Sequence, residues 1–308
     1  MVLIAGLALA FTGAIALGSE RLTFFDLTDQ QRTILFDIRI PRVLLGACVG
    51  AALAVSGAAL QSLLRNPLAE PYLLGVSNGA ALGTMLAFVF FEQFEWARPL
   101  LAFAGAGIAT FAVYQMAKGR TGMNVERLVL SGVIVTTFLS SILVLLTTLL
   151  DATKLRSFTF WLLGDLSQST MNGVYLTLAV SVIGTIILSS QAKSLNLLMI
   201  GERDAFDLGV EVGRVRLIVF VVVSILVGST VAASGSVGYV GLIVPHLVRL
   251  AVGSDNRLVV PFSAIAGAIF VVLADTVART AIAPRELPVG AITALIGAPL
   301  FIYLLKRN

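Results

Sequence analysis

The stretch Arg65–Gly83, RNPLAEPYLLGVSNGAALG, decides the fold because it places a short polar turn directly between two long apolar runs. Pro67 and Pro71 each lack a backbone donor and fix φ, so a helix that arrives through residues 53–64 must stop near Asn66. We interpret the stretch as a tight turn at a membrane face, where a polar segment of this kind favours a functional role.

Three glycines follow the turn at intervals of four residues, which places them on one face of the next helix. They are Gly75, Gly79 and Gly83. Small residues at this spacing let the backbone of another helix approach closely. The sequence therefore predicts a tightly packed helix pair immediately after the turn.

Composition extends this interpretation to the whole chain. Its 308 residues are 58% hydrophobic and 12% charged, and the mean hydropathy is +0.98. Repeated runs approach the roughly 20 apolar residues that cross a bilayer, and they lack the alternation of a transmembrane barrel. We predict an all-α polytopic membrane protein with one transmembrane domain over residues 1–308 and about ten transmembrane helices. The predicted spans are 2–18, 43–64, 73–91, 99–117, 128–150, 172–190, 215–233, 237–252, 258–282 and 287–305.

Two features bear on topology. The basic residues favour cytoplasmic N- and C-termini, because that orientation places more Lys and Arg inside than outside. The first span lacks a basic flank, which favours a membrane helix over a secretory signal.

The eighth span is short and opens on residues 234–238, SGSVG, so we expect a broken or partly re-entrant helix that lines a cavity.

The loop at residues 191–216 is expected on the cytoplasmic side and should be structured. Leu195, Leu198 and Met199 fit one face of a short helix that Gly201 ends, and a second short helix closes near Gly209. Acidic and basic side chains alternate along it. Such a loop is either a solvated connector or a docking surface for a soluble partner, and its length and apolar content favour docking.

On the opposite side, residues 19–41 form the longest predicted exterior loop, which ends at Arg39 and Arg42. Flanking arginines are commonly interfacial anchors. Asp275 and Arg279 are four residues apart, so we expect them to pair on one helix face and share the cost of desolvation.

Several chemistries are missing from the sequence. No GxxxxGK[ST] phosphate loop is present, so ATP is not hydrolysed by that route. His246 is the single histidine and cannot form a zinc site by itself. Nearly all acids lie in loops or at span ends, and Asp275 has an arginine partner, which argues against ion-coupled transport. Something other than an ion gradient must then supply the driving force.

Seven motifs in order resemble one family, the FecCD-type permease subunits of type II ABC importers for iron-siderophore, haem and cobalamin complexes. Besides the opening stretch, they are RIPR (39–42), WLLGDLS (161–167), GE...LGV (201–210), VGYVGLIVPHLVRLAVGSDNR (237–257), LAD..AR (273–279) and ELPVGAITALIGAPLFIYLL (286–305). The resemblance covers nearly the whole chain. It implies the type II importer permease fold, with ten spans per subunit in a homodimer or heterodimer.

The resemblance also implies partners. Two cytoplasmic ATPase subunits would bind ATP and Mg, so no cofactor is expected in this chain, and an extracytoplasmic binding protein would deliver the cargo. The 191–216 loop would carry the coupling helices that fit into the ATPases. By resemblance, the coupling residues are Gly201, Glu202, Arg203, Asp204, Ala205, Asp207, Leu208 and Gly209.

Two further sets of residues carry roles by resemblance. Arg39, Arg42 and Arg279 would form ion pairs with the binding protein at an exposed rim, with Arg285 as an addition. Asn66 and Leu68 would form the cytoplasmic gate, and the loop at residues 121–125 a second constriction.

The cargo and the function class leave alternatives. Specificity would reside mostly in the binding protein, so the motifs fit cobalamin permeases as well as iron-chelate ones, and we favour iron complexes or haem. An ion-coupled secondary transporter, or a scaffold that recruits a soluble protein, are the other classes. The expected location is the bacterial inner or plasma membrane.

Overall fold

The computed structural model describes residues 2–18, 28–91, 93–94, 96–119 and 122–307. Nearly every element is helical, which confirms the predicted fold class. In chain order the elements are α1 (Val2–Ala16), α2 (Asp29–Thr33), a π-helical stretch (Ile34–Arg39), α3 (Ile40–Leu63), a 3₁₀ turn (Pro71–Leu74), α4 (Val76–Phe90), α5 (Ala97–Ala117), β1 (Lys118–Gly119), β2 (Gly122–Met123), α6 (Val125–Thr147), α7 (Ala152–Leu162), α8 (Met171–Ser190), α9 (Ala192–Ile200), α10 (Glu202–Asp207), α11 (Val212–Ser234), α12 (Val240–Val252), α13 (Asn256–Thr280) and α14 (Val289–Arg307).

The predicted spans match the apolar helices of the described residues. Six helices are long and apolar enough to cross a bilayer, and four shorter apolar helices complete the set. Each predicted span overlaps one of them. The short α7, α9 and α10 lie between spans, as does a two-stranded antiparallel hairpin formed by β1 and β2.

One predicted boundary is wrong. The chain was expected to form a loop up to Pro41, but a continuous helix runs from Asp29 to Leu63. Thr28 begins this helix with a capping box, in which its hydroxyl accepts from the Gln31 amide and the Gln31 side chain accepts from the Thr28 amide. The remainder of the predicted loop, residues 19–27, lies outside the described residues.

The centre of the bundle is α3, whose residues from Pro41 to Leu63 are almost all buried. Helix α13 makes the most extensive contact with it, and a Cβ at Gly50 would overlap the Gly267 carbonyl. By contrast, only 17% of the hydrophobic window of α6 is buried. Its exposed apolar side chains therefore face lipid or another subunit rather than this chain's core.

The predicted glycine face is confirmed in part. Gly79 and Gly83 lie where α4 crosses α5, and a Cβ at Gly83 would overlap the Leu101 carbonyl. Gly75 is not on that face. It precedes α4 with φ of 73°, a left-handed conformation that ends the 3₁₀ turn.

The eighth span is short and follows a break in the helix, as predicted, whereas its lining of a cavity stays a prediction. Helix α12 has 13 residues, about 20 Å at 1.5 Å per residue, which is less than the roughly 30 Å hydrocarbon core. Residues 235–238 before it are not helical. The unwound segment therefore lies within the depth of the bundle, where its backbone must find partners inside the protein.

Candidate functional site

Two side chains from the segment just after the predicted gate turn satisfy backbone groups of the unwound segment and of Tyr239, which follows it. The Tyr72 hydroxyl donates to the Val237 carbonyl at 3.1 Å and accepts from the Val237 amide at 2.9 Å. The Glu70 carboxylate accepts from the Tyr239 amide at 2.9 Å. The polar residues just after the predicted gate turn thus hold open a break between two helices.

The gate turn itself, residues 65–68, is tightly defined. Helix α3 ends at Leu63, as the prolines predicted, and Arg65 adopts a left-handed φ of 49°. The Asn66 side chain accepts from the Leu68 amide at 2.8 Å, an Asx turn that fixes the direction of the chain. Asn66 and Leu68 are both exposed. Asn66 therefore shapes the turn, and Leu68 forms its apolar tip.

Two short helices fill the 191–216 loop, as predicted. A Schellman motif ends α10: the Gly209 amide donates to the Phe206 carbonyl, and the Val210 amide donates to the Ala205 carbonyl, both at 2.9 Å. Gly209 has φ of 86°, so glycine suits this position. Ala205 is fully buried and anchors α10 to the bundle.

The outer surface of this loop carries three large apolar side chains. Phe206 is 70% exposed, and Ile200 and Leu208 are exposed almost as much. The exposed charged residues around them are Arg203, Asp204 and Asp207. We call Ile200, Phe206 and Leu208 the apolar knob. The predicted coupling residues do not include Ile200 and Phe206. Apolar residues in an otherwise charged loop were the signal that could have indicated them.

The side chain of Glu202 points in a different direction from those of the other charged residues among the predicted coupling residues. Its carboxylate turns toward the permease, where it pairs with Arg216 and lies 3.7 Å from Arg65 Nη2. Arg216 in turn donates from Nη1 to the Met123 carbonyl at 3.0 Å. Gly201 adopts an extended conformation between α9 and α10. The loop therefore has an outer face and an inner, charged face.

Helix α9 is held by a network of mostly neutral groups. The side-chain Oδ1 of Asn196 accepts from the Asn256 backbone amide at 2.8 Å, and Asn256 Oδ1 accepts from the Ser62 hydroxyl at 2.8 Å. The Asp255 carboxylate accepts from the Arg257 amide at 2.9 Å and from the Asn196 amide group at 2.6 Å. These bonds favour the ionised form and lower the pKa of Asp255. They place α9, the end of α3 and the start of α13 at one end of the bundle, which we call the α10 end.

The predicted docking arginines lie at the opposite end, which we call the Arg42 end. The expectation of an exposed rim is wrong for three of them, because Arg39, Arg42 and Arg279 are only 4%, 5% and 5% exposed. Arg285 is exposed. The docking role itself stays a prediction, and Arg285 is the member of the set whose guanidinium is free to meet a partner.

An ion-pair network explains the burial. Arg42 donates from Nε and Nη2 to Asp275 at 3.0 to 3.1 Å and from Nη1 to Glu286 at 2.8 Å. The predicted Asp275–Arg279 pair is confirmed, with Nε and Oδ2 3.2 Å apart. That approach is too poorly aligned to count as a hydrogen bond. Glu286 was not among the predicted site residues, because nothing in the sequence links it to Arg42.

Two of the predicted docking arginines cap the C-terminal end of α1. Arg279 donates to the Ala14 carbonyl at 2.9 Å, and Arg39 donates to the Ile15 carbonyl at 3.0 Å. These carbonyls belong to the last turn of α1, which lacks intrahelical donors, and cations are favourable there.

The predicted second constriction, residues 121–125, is described in part. Thr121 lies outside the described residues, whereas Met123 lies at the α10 end.

Comparison with known proteins identifies the family of this arrangement. The model of the FecCD transport family matches residues 1–307. The chain belongs to the FecCD transport family. It is therefore a transport permease and a multi-pass membrane protein.

Individual relatives of this FecCD permease have different named cargoes. It is 44% identical to the cobalamin import system permease protein BtuC of Halobacterium salinarum, over 92% of this chain and 76% of that protein. It is 38% identical to the hemin transport system permease protein HmuU of Yersinia pestis, over 100% of this chain and 93% of that protein.

A solved structure extends the similarity to three dimensions. The structure described as an inward-facing conformation of a putative metal-chelate type ABC transporter has a TM-score of 0.90 and 34% sequence identity, and the match covers 99% of this chain and 98% of that chain. This similarity confirms the predicted permease fold.

Proposed function

We propose that this chain is the membrane-spanning permease subunit of an ABC importer for a metal chelate, powered by ATP hydrolysis in separate cytoplasmic subunits. The apolar knob carries the proposal. Three large apolar side chains stand in the aqueous zone of a loop whose other face is anchored to the bundle. A surface of this kind is expected to be covered by a soluble partner. A pair of ATPase subunits, which hold ATP and Mg, is the partner that the family implies.

The proposal fixes the orientation. The α10 end lies in the cytoplasm, together with both termini, and the Arg42 end faces the binding protein. Arg285 contributes to binding-protein docking, where a rim charge mainly speeds encounter. Asn66 and Leu68 form the cytoplasmic gate. A second permease subunit completes the pathway, most simply as a homodimer, in the bacterial inner or plasma membrane.

Haem or an iron-siderophore complex is the proposed cargo, and cobalamin is the second candidate. The relatives favour both, because their names divide between hemin, iron-hydroxamate and cobalamin import. A pathway between two subunits suits a bulky chelate and needs no precise polar site in one chain.

Reconstitution into vesicles tests the class of transporter. The permease, the ATPase that co-purifies with it and the binding protein are combined, and uptake of haemin, a ferric hydroxamate and cyanocobalamin is measured. We expect uptake of one chelate that requires ATP and the binding protein and survives collapse of ion gradients. Uptake that ignores ATP but follows an ion gradient would support a secondary transporter. Failure to associate with any ATPase would support a scaffold.

A matched pair of variants tests the apolar knob. Phe206→Ala removes its most exposed side chain, whereas Leu258→Ala removes an exposed leucine from the start of α13 outside the loop. We expect Phe206→Ala to weaken ATPase binding and Leu258→Ala to leave it unchanged. Equal ATPase affinity in the two variants would remove the knob from the interface.

A further inference from the structure

Glu202 connects the proposed coupling surface to the gate. It is the first residue of α10, and its carboxylate contacts Arg216 and approaches Arg65 to 3.7 Å. Arg65 belongs to the gate turn. One carboxylate of the coupling loop therefore reaches the segment that carries Leu68 directly.

The connection extends to the second predicted constriction. Arg216 lies near the start of α11, and its guanidinium donates to the Met123 carbonyl at 3.0 Å. Its side chain is mostly buried, so it is held in place between Glu202 and the hairpin of β1 and β2. The two predicted constrictions are thus separated from Glu202 by at most one side chain.

The geometry of the gate turn couples the position of Arg65 to that of Leu68. Its left-handed backbone fixes the direction of the chain, and Asn66 is bonded both to the Gln61 carbonyl at 3.1 Å and to the Leu68 amide at 2.8 Å. A displacement of the Arg65 side chain is transmitted to Leu68 through a rigid turn rather than absorbed by a loose loop.

The strength of the Arg65 pair suits a contact that changes during a cycle. Both side chains are nearly half exposed, and exposed ion pairs contribute only about 0–1 kcal/mol. In contrast, the buried Asn256 holds α9 to α3 and α13 through hydrogen bonds. The α9 part of the coupling loop is therefore fixed, and the α10 part is joined to the gate by a contact that breaks easily.

We propose that Glu202 is a positioning residue that transmits movement of α10 to both cytoplasmic constrictions through Arg65 and Arg216. The inference rests on the proposed function, because an ATPase must move α10. It changes the role that resemblance gave to Glu202, from an ATPase contact to an internal link. The neighbouring exposed residues Arg203 and Asp207 keep the expected outward role.

The test measures gate exposure directly. Leu68→Cys in the complete complex is labelled with a maleimide in the presence and absence of ATP; the native Cys48 is buried. We expect ATP to change the labelling rate in this parent. Adding Glu202→Gln should reduce that ATP-dependent change at least about fivefold, the lower end of typical coupling between sites, while ATPase binding and ATP hydrolysis continue.

The chain offers a matched control. Glu211 lies in the same loop and pairs with Arg214, also at 3.7 Å, but this pair is highly exposed and reaches neither constriction. Glu211→Gln should leave the labelling change as in the parent. Arg65→Gln should reproduce the loss at Leu68, and combining it with Glu202→Gln should add nothing there, because both changes remove the same link from α10 to Leu68.

Each outcome decides one point. A parent that binds no ATPase and hydrolyses no ATP overturns the proposed function. A parent that responds to ATP, with an equal response in Glu202→Gln or an equal loss in Glu211→Gln, overturns the link alone. If Glu202→Gln does not assemble with the ATPase, Arg65→Gln decides, because its exposed side chain lies outside the coupling loop.

Discussion

Replacing Asp275 with Asn should destabilise the permease strongly, although the two side chains have nearly the same shape. Asp275 is 2% exposed and is the common partner of Arg42 and Arg279, which are buried beside it. The substitution removes the negative charge and leaves two buried cations facing a neutral amide. Breaking a buried ion pair by removing one partner typically costs about 3–5 kcal/mol.

The structure places the cost near the lower end of that range. Arg42 keeps its bond to Glu286 at 2.8 Å, and Arg279 keeps its bond to the Ala14 carbonyl at 2.9 Å. Neither guanidinium is left without an acceptor, so the loss is mainly the Coulomb attraction within the network. We expect Asp275→Asn to lower the free energy of unfolding by about 3 kcal/mol.

Unfolding in mixed micelles with a rising fraction of SDS, followed by circular dichroism, measures this change. Leu273→Ala is the control, because that side chain lies two residues away in α13 and is half exposed. It should change the free energy by no more than about 0.5 kcal/mol. A second arm measures capture of the binding protein by the folded fraction, which Asp275→Asn should leave close to the parent value.

Two results would refute the reasoning. If Asp275→Asn is as stable as Leu273→Ala, the network contributes nothing to the fold. If stability is unchanged while capture of the binding protein falls, the three buried arginines serve docking. They would then be exposed in the conformation that the binding protein recognises.

Three smaller changes test other parts of the fold by the same unfolding measurement. Gly83→Ala should cost about 1–3 kcal/mol, because a Cβ there overlaps the backbone of α5, whereas Gly107→Ala meets nothing within 4 Å and should be neutral or slightly stabilising. Tyr72→Phe should cost about 1–3 kcal/mol through the two lost bonds to Val237; an unchanged midpoint would mean that water replaces the hydroxyl. The pKa of Asp255 is lowered in the folded protein. Its contribution to the free energy of unfolding is therefore fully present above the ordinary pKa near 3.9 and is lost as pH falls through the lower folded pKa. Asp255→Asn should weaken this loss of stability in acid, and identical acid profiles of the variant and the parent would contradict the prediction.

The fold was largely predictable because membrane spans are encoded locally. A run of apolar residues has the same meaning whatever it packs against, so its length was enough to locate each helix. The exception is the start of the second span, where residues 29–33, DQQRT, are polar and resemble a loop. The signal was the Thr28–Gln31 capping box, which marks a helix start without any apolar residue.

The site was less predictable because its contacts are not local. Asp275 and Arg279 are four residues apart and could be paired from the sequence, whereas Arg42 meets the same carboxylate from 233 positions away. Resemblance placed Arg42 on a surface, but the fold buries it in α3 against the carboxylates of Asp275 and Glu286. In the same way, a glutamate in a charged loop gives no indication that its carboxylate turns inward to Arg65.

The two ends of α3 differ in how its charges are held. At the Arg42 end, the pairs are buried and joined through a shared carboxylate, so separating them would expose uncompensated charge in the interior. At the α10 end, Arg65 meets Glu202 across water-accessible surface, where the same separation costs little. A force on the gate turn would therefore break the Arg65–Glu202 pair before it disturbs the buried network at the Arg42 end. The central helix is held at both ends, by the Arg42 network and by the bond from Ser62 to Asn256. The gate turn beyond it meets α10 through an exposed ion pair, an arrangement that suits a conduit driven from the α10 side.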